Sequence, residues 1–179
     1  IIHIYFQNAI HFLNNIFFFI FFCDRIKPLK RKKKVLNMRY CYYGKKPQNY
    51  IQNWIYDDVN PEIVFSFGGD GTMLGAIHQY EDKLDQVKFV GIKQGTLGFF
   101  CNFTLEELDN VVSLLDTNLY SEDNFQVIEY IVKASGKTHR GYAINEIAIT
   151  NPINTQIIDV YINDKHFEKY RGTGFLVLP

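Results

Sequence analysis

The residues with the clearest chemical potential are Gly68-Gly69-Asp70-Gly71-Thr72, where three glycines surround a single carboxylate. Backbone amides can converge on an anion at such a turn, and a helix N-terminus following it adds a favourable dipole. The glycines remove the side chains that would block a phosphate. An aspartate among them is repelled by phosphate oxygens, so its presence requires a job. It could accept a proton from a substrate hydroxyl, orient that hydroxyl, or hold a divalent cation. The alternative is a tight turn in which Asp70 only caps the next helix. The motif is neither a Walker A sequence, since no Gly-Lys-Ser/Thr follows, nor a G-x-G-x-x-G fingerprint.

Other residues carry chemistry less clearly. Gly95, Leu97 and Gly98 read as a strand-to-loop turn, with Phe99 and Phe100 as core aromatics. Asn145 and Glu146 read as surface polar residues near a hairpin, Arg171 as a solvated charge, and His78 as a helix-face histidine with no catalytic part. Cys23, Cys41 and Cys101 are odd in number and widely spaced, which suits neither a zinc site nor a disulfide framework and fits a reducing cytoplasm.

The glycine turn needs a strand before it and a helix after it. Glu62–Phe67 is a compact apolar run bounded by Pro61 and Gly68, the pattern of a buried parallel strand. Thr72–Tyr80 has helical spacing, and Val87–Ile92 reads as the next strand. Met38–Tyr43 is expected as an edge strand and Pro47–Tyr56 as a helix. Thr104 and Glu107 form a capping box ahead of Leu105, Leu108, Val111, Val112 and Leu115, which share one helix face. Beyond Asn118 the period changes: Phe125–Ala134, Tyr142–Thr150, Ile157–Ile162 and Phe167–Tyr170 are β-rich, separated by Ser135-Gly136, Asn151-Pro152 and Asn163-Asp164 turns. The expected organisation is an α/β domain over 38–120, with the strand-turn-helix unit, followed by an incomplete β-rich domain over 121–179.

With 47% hydrophobic and 16% aromatic residues, the 179-residue chain has enough apolar material for a packed core. Nineteen basic residues balance nineteen acidic ones, so no global field draws the chain to nucleic acid or an anionic membrane. Residues 1–37 differ from the rest. An apolar block, Ile16–Cys23, precedes a cluster of Arg25, Lys27, Lys30, Arg31, Lys32, Lys33 and Lys34. The block is shorter than the roughly 20 apolar residues that span a bilayer, and no small-residue cleavage site follows it. Ordinary globular composition begins at Met38, so residues 1–37 are expected to be an upstream segment outside the domains, with translation starting at Met38.

Gly-Gly-Asp-Gly-Thr is shared by a kinase superfamily that includes NAD kinases, diacylglycerol and sphingosine kinases and, in a close variant, phosphofructokinases. Three further blocks in the same order make the chain resemble the NAD kinases, and the small Gram-positive type in particular. They are Gly91-Ile-Lys-Gln-Gly-Thr-Leu-Gly98-Phe99-Phe100, Asn145-Glu146 and Phe167-Glu-Lys-Tyr-Arg-Gly172; Asn60-Pro-Glu-Ile-Val64 adds to the likeness. The resemblance implies phosphorylation of the adenosine 2′-hydroxyl of NAD to give NADP, with ATP or polyphosphate as donor and a divalent cation, Mg²⁺, assisting. It implies Asp70 as general base, Gly68, Gly69, Gly71 and Thr72 around the donor phosphates, and NAD contacts from Asp70, Gly71, Phe99, Phe100, Asn145, Glu146, Arg171 and Thr173. It also implies a β-sandwich-like second domain and a cytoplasmic homo-oligomer, dimer or tetramer, without nucleic-acid or membrane partners. Two features depart from the family: Thr173 stands where its Gly-Asp-Gly has a carboxylate, and Leu178-Pro179 replaces its Ser/Thr-Thr-Pro and Gly-Ser-Thr-Ala-Tyr continuation. The 1–179 piece is therefore expected to be truncated and inactive alone. The competing readings are a lipid-type kinase of the same superfamily and an inactive nucleotide-binding remnant.

Overall fold

The computed structural model describes residues 2–6, 17–21, 37–45, 51–95, 98–125, 127–134, 137–162 and 164–178. Its strands and helices run β1 (Ile2–Phe6), β2 (Phe17–Phe21), β3 (Arg39–Gly44), β4 (Ile55–Tyr56), β5 (Ile63–Gly68), α1 (Asp70–Gln79), β6 (Lys88–Lys93), α2 (Leu108–Thr117) and β7 (Ser121–Phe125). They continue as β8 (Ile128–Ala134), β9 (Lys137–Ala143), β10 (Ile147–Thr150), β11 (Gln156–Ile162), β12 (Lys165–Gly172) and β13 (Gly174–Val177). Two compact units divide the chain: Asn15–Phe125, and Ile1–Asn14 together with Gln126–Pro179.

The first unit is built on a sheet ordered β4-β3-β5-β6-β2-β7. β3, β5 and β6 pair in parallel, as the continuous apolar run of β5 requires, since a strand covered on both faces needs no alternation. On one face Tyr40, Tyr42, Ile63, Phe65, Phe67, Val90 and Ile92 pack with Trp54, Phe103, Val111 and Leu115. On the other, Tyr43, Ser66 and Gly91 lie in register across β3, β5 and β6. This row faces α1: a Cβ on Gly75 would stand 2.6 Å from the Tyr43 hydroxyl.

Three expectations are corrected here. Met38–Tyr43 becomes an inner strand, because the two-residue β4 takes the edge beside Arg39 and Tyr40. Of the helix expected over Pro47–Tyr56, residues 47–50 lie outside the described residues and the rest is turn and strand. Asn53 adopts a left-handed φ of 68° that no helix interior accommodates, and Trp54 is buried with its Nε1–H donated to Asp116 Oδ1 at 2.8 Å. Thr104 and Glu107 form their reciprocal cap, the Thr104 amide donating to Glu107 Oε2 at 2.7 Å. The first turn is 3₁₀ over Leu105–Glu107, however, and its tighter winding rotates Leu105 off the buried face into solvent. Val111 and Leu115 are buried as expected, and Asn118 ends α2 with a φ of 53°.

The second unit is antiparallel apart from β1, which runs parallel to β11. β8 pairs with β9, β11 with β12, and β10 with β13. The β-rich stretch Tyr142–Thr150 is thus the end of β9, a bend at Ile144–Glu146, and β10. Ile158, Asp159 and Val160 are buried on β11. Among the described residues no helix is long and apolar enough to cross a membrane.

Candidate functional site

β5 delivers Gly68 to the C-terminal edge of the parallel strands, and α1 starts two residues later. Gly69 is the N-cap in extended conformation, and the amides of Thr72 and Met73 close onto its carbonyl at 3.0 and 3.1 Å. Gly68 has no room for a side chain, because a Cβ would collide with Thr72 Oγ1. A Cβ on Gly69 or Gly71 would meet nothing within 4 Å, so the space around the helix N-terminus is open. Open space beside the helix's first amides, those ahead of Thr72, is what an anion requires.

Asp70 is the first residue of α1, and no side chain caps this helix. Its carboxylate reaches instead to the next motif: Phe99 N–H donates to Oδ2 at 2.8 Å and Phe100 N–H to Oδ1 at 2.9 Å. Gly98 permits that approach, since a Cβ there would stand 2.5 Å from Asp70 Oδ1. A carboxylate oxygen has two lone pairs, so each oxygen keeps acceptor capacity for an incoming hydroxyl. Behind this contact, the Cys101 thiol is pushed up to about 11 by burial and, secondarily, by the negative charge of Asp70. Phe100 and Cys101 pass over Gly91, where a Cβ would strike the Phe100 carbonyl.

The pair expected to act as core aromatics divides. Phe100 is 6% exposed whereas Phe99 is 72% exposed, a large apolar surface left beside a polar turn. Their rings meet at 5.2 Å and 88°, and Phe125 at the end of β7 contacts both, at 6.5 Å from Phe99 and 5.6 Å from Phe100. Phe125 was not legible as a site residue, because nothing in the periodicity near 125 relates it to position 99. Thr96 and Leu97 lie outside the described residues.

One unit therefore gathers Gly68, Gly69, Asp70, Gly71, Thr72, Phe99 and Phe100. Asn145 and Glu146 lie in the other, exposed in the bend before β10. Arg171 is exposed on β12, and Thr173, exposed between β12 and β13, accepts the Asn151 amide through its carbonyl at 2.8 Å. The β10–β13 register sets Ile147 against Val177 and Thr150 against Gly174, so Asn145-Glu146 and Thr173 occupy opposite ends of that ladder. His78 is an exposed α1 side chain with Nδ1 3.5 Å from Glu81 Oε2. Among the described residues no group of three or more His, Cys, Asp or Glu is placed to hold a metal ion.

A family model described as the ATP-NAD kinase N-terminal domain matches residues 26–122. NAD kinase 1 of Listeria monocytogenes is 45% identical over 121 residues, covering 66% of this chain and 46% of the relative. The NAD kinase of Lactococcus lactis subsp. cremoris is 42% identical over 132 residues, covering 70% and 47%. The chain thus spans about half the length of the curated relatives it matches. A yeast NADH kinase, solved in complex with NADH, shares the fold with a TM-score of 0.63 at 15% identity, over 83% of this chain and 59% of that one. The matched model covers the strand, the glycine turn, α1 and the Phe99 segment that Asp70 holds, and on that ground the chain belongs to the NAD kinase family.

Proposed function

We propose that the protein phosphorylates the 2′-hydroxyl of the adenosine ribose of NAD, giving NADP, with ATP or polyphosphate as donor. The observation supporting this is the open glycine turn whose one carboxylate faces the Phe99 segment, in a chain of the NAD kinase family. In this reading Gly68, Gly69, Gly71 and Thr72 surround the donor phosphates, the glycine amides acting as fixed donors that need no reorganisation during transfer and Thr72 contributing its hydroxyl. Asp70 orients the acceptor hydroxyl and takes its proton as the oxygen attacks phosphorus. Phe99 and Phe100, Asn145 and Glu146, and Arg171 and Thr173 contribute NAD contacts, with Thr173 supplying a neutral hydroxyl where the family has a carboxylate.

The described side chains form no metal cage of their own. A divalent cation fits this site as the counter-ion of the donor phosphates, which is how Mg²⁺ is commonly held, and there it would neutralise phosphate charge. The same reading assigns 38–120 to an α/β phosphate-binding domain and 121–179 to a β-rich, sandwich-like NAD-binding domain that the family continues further. It makes the protein a cytoplasmic homo-oligomer, and residues 1–37 dispensable.

The test is to supply purified full-length protein with NAD, Mg²⁺ and either ATP or polyphosphate, and to measure NADP by a coupled NADP-specific dehydrogenase. NADP formation with one donor is expected. No NADP with either donor, from protein shown to be folded, overturns the proposal.

A further inference from the structure

We propose that Phe125 is a positioning residue that holds the exposed Phe99 ring in the orientation in which it stacks on a planar base of the dinucleotide; this rests on the reading of the site as NAD-binding. Phe99 keeps 72% of its surface exposed although it lies between two ordered contacts. Its backbone is held by Asp70 Oδ2 through the amide at 2.8 Å. Backbone anchoring alone leaves χ1 and χ2 free, and an aromatic ring that turns freely must be ordered when a ligand stacks on it. The neighbouring rings supply that order. Phe100, buried at 6% exposure, stands at 88° to Phe99, and Phe125 at 76° with centroids 6.5 Å apart.

Phe125 and Phe100 also meet each other at 5.6 Å and 69°, so the three rings form a closed cluster in which every pair is tilted or edge-on. Such pairs are favoured by ring quadrupoles as well as by area. Phe100 is fixed from below by its burial, but it sits next to Phe99 in the chain and follows that segment wherever it moves. Phe125 comes from a different element, the end of β7, and ties Phe99 to the sheet. Its ring meets Phe99 and Phe100, the aromatic side of the site rather than the glycine turn. Its loss should therefore weaken binding of the base while leaving phosphate binding and the chemical step intact.

The experiment measures calorimetric binding of NAD, and of inorganic tripolyphosphate as a probe with no aromatic ring, to full-length wild-type protein and to Phe125→Ala, Phe125→Leu and Phe125→Tyr. Steady-state kinetics follow on the same samples, with thermal unfolding as the folding check. From the size of aromatic pair energies, Phe125→Ala should weaken NAD binding about three- to tenfold and raise KM for NAD in proportion. Tripolyphosphate affinity and kcat should not change. Phe125→Leu, which keeps apolar bulk without a ring, should behave as the alanine variant, and Phe125→Tyr should restore affinity to within about twofold. Wild-type NAD affinity in the folded leucine variant overturns the inference while leaving the site's assignment standing, as does an equal loss for NAD and tripolyphosphate. Failure of the wild-type protein to bind NAD overturns both.

Discussion

The carboxylate of Asp70 accepts the amide of Phe99 at 2.8 Å, so the acidic group of the glycine turn also fixes the position of the exposed aromatic ring beside it. This changes how a substitution there must be read. Asp70→Asn retains one acceptor oxygen and places an NH₂ against one of two backbone amides, so it disturbs the Phe99–Phe100 segment as well as removing basicity. For a general base, kcat should fall about 10²- to 10⁴-fold, with a much smaller rise in KM for NAD. Steady-state NADP production against NAD and Mg²⁺ separates the roles. An unchanged kcat with a raised KM would make Asp70 a positioning group only, and recovery at high Mg²⁺ would make it chiefly a cation ligand.

Gly98→Ala tests the same contact from the other side. A Cβ at 98 would stand 2.5 Å from Asp70 Oδ1, an oxygen already held by the Phe100 amide and unable to withdraw freely. The expected result is a destabilisation of about 1–3 kcal/mol, the usual cost of overpacking, read as a lower denaturant midpoint. Combining it with Asp70→Ala should give less than the sum of the two losses. Strict additivity in that cycle would show that the two residues do not press on one another.

Much of this arrangement was legible in the sequence because it is local. The β5 run, the three glycines and the α1 spacing are neighbours in the chain, and their conformations follow from residue type. Thr104 and Glu107 likewise announce their cap through a fixed spacing of three. What stayed hidden is long-range: the Asp70 bonds to Phe99 and Phe100 and the approach of Phe125 join elements that no periodicity relates. The helix expected before Tyr56 failed for a related reason. Burial of Trp54 against Asp116 and the left-handed turn at Asn53 are tertiary facts that override local helix propensity.

Ser66 lies fully buried on β5 with its hydroxyl lacking a hydrogen-bond partner among the described residues. An unpaired buried hydroxyl costs about 1–3 kcal/mol in desolvation. Ser66→Ala, which removes the oxygen and leaves the methylene packing, should raise the melting temperature or leave it unchanged. A fall of several degrees would mean that the hydroxyl has a partner, such as a bound water, in solution.

Stability should decline in alkali. The Cys101 thiol is pushed up to about 11 by burial, then by Asp70. For Lys88 burial acts downward, but hydrogen bonds to Glu122 and Tyr120 outweigh it and the group is raised overall. In both cases the folded state holds its proton more tightly than the unfolded chain. The associated stability is complete below the ordinary values of these groups and is lost as pH rises through their folded values. Urea midpoints should therefore fall between about pH 9 and 11, and Cys101→Ala should flatten part of that slope. An unchanged slope in the variant would show that Cys101 does not titrate with unfolding.

Removing residues 1–37 tests whether this segment belongs to the fold. β2 pairs with β6 at only two positions, Phe18 with Lys88 and Phe19 with Phe89, although it follows β7 for five. β6 and β7 are meanwhile joined without it. Lys88 Nζ ion-pairs with Glu122 and donates to the Tyr120 hydroxyl at 2.8 Å, with its charge 5.1 Å from the Tyr120 ring centre. A half-buried charge-assisted cluster of this kind is stronger than an exposed pair. β7 should thus remain attached when β2 is deleted, because its anchor lies in residues 88–122. Protein beginning at Met38 should unfold cooperatively with a denaturant midpoint close to that of the longer chain and retain its NAD affinity. Aggregation of the shorter form, or a large loss of midpoint that Lys88→Met does not reproduce, would show that β1 beside β11, or β2 beside β6 and β7, is an integral strand.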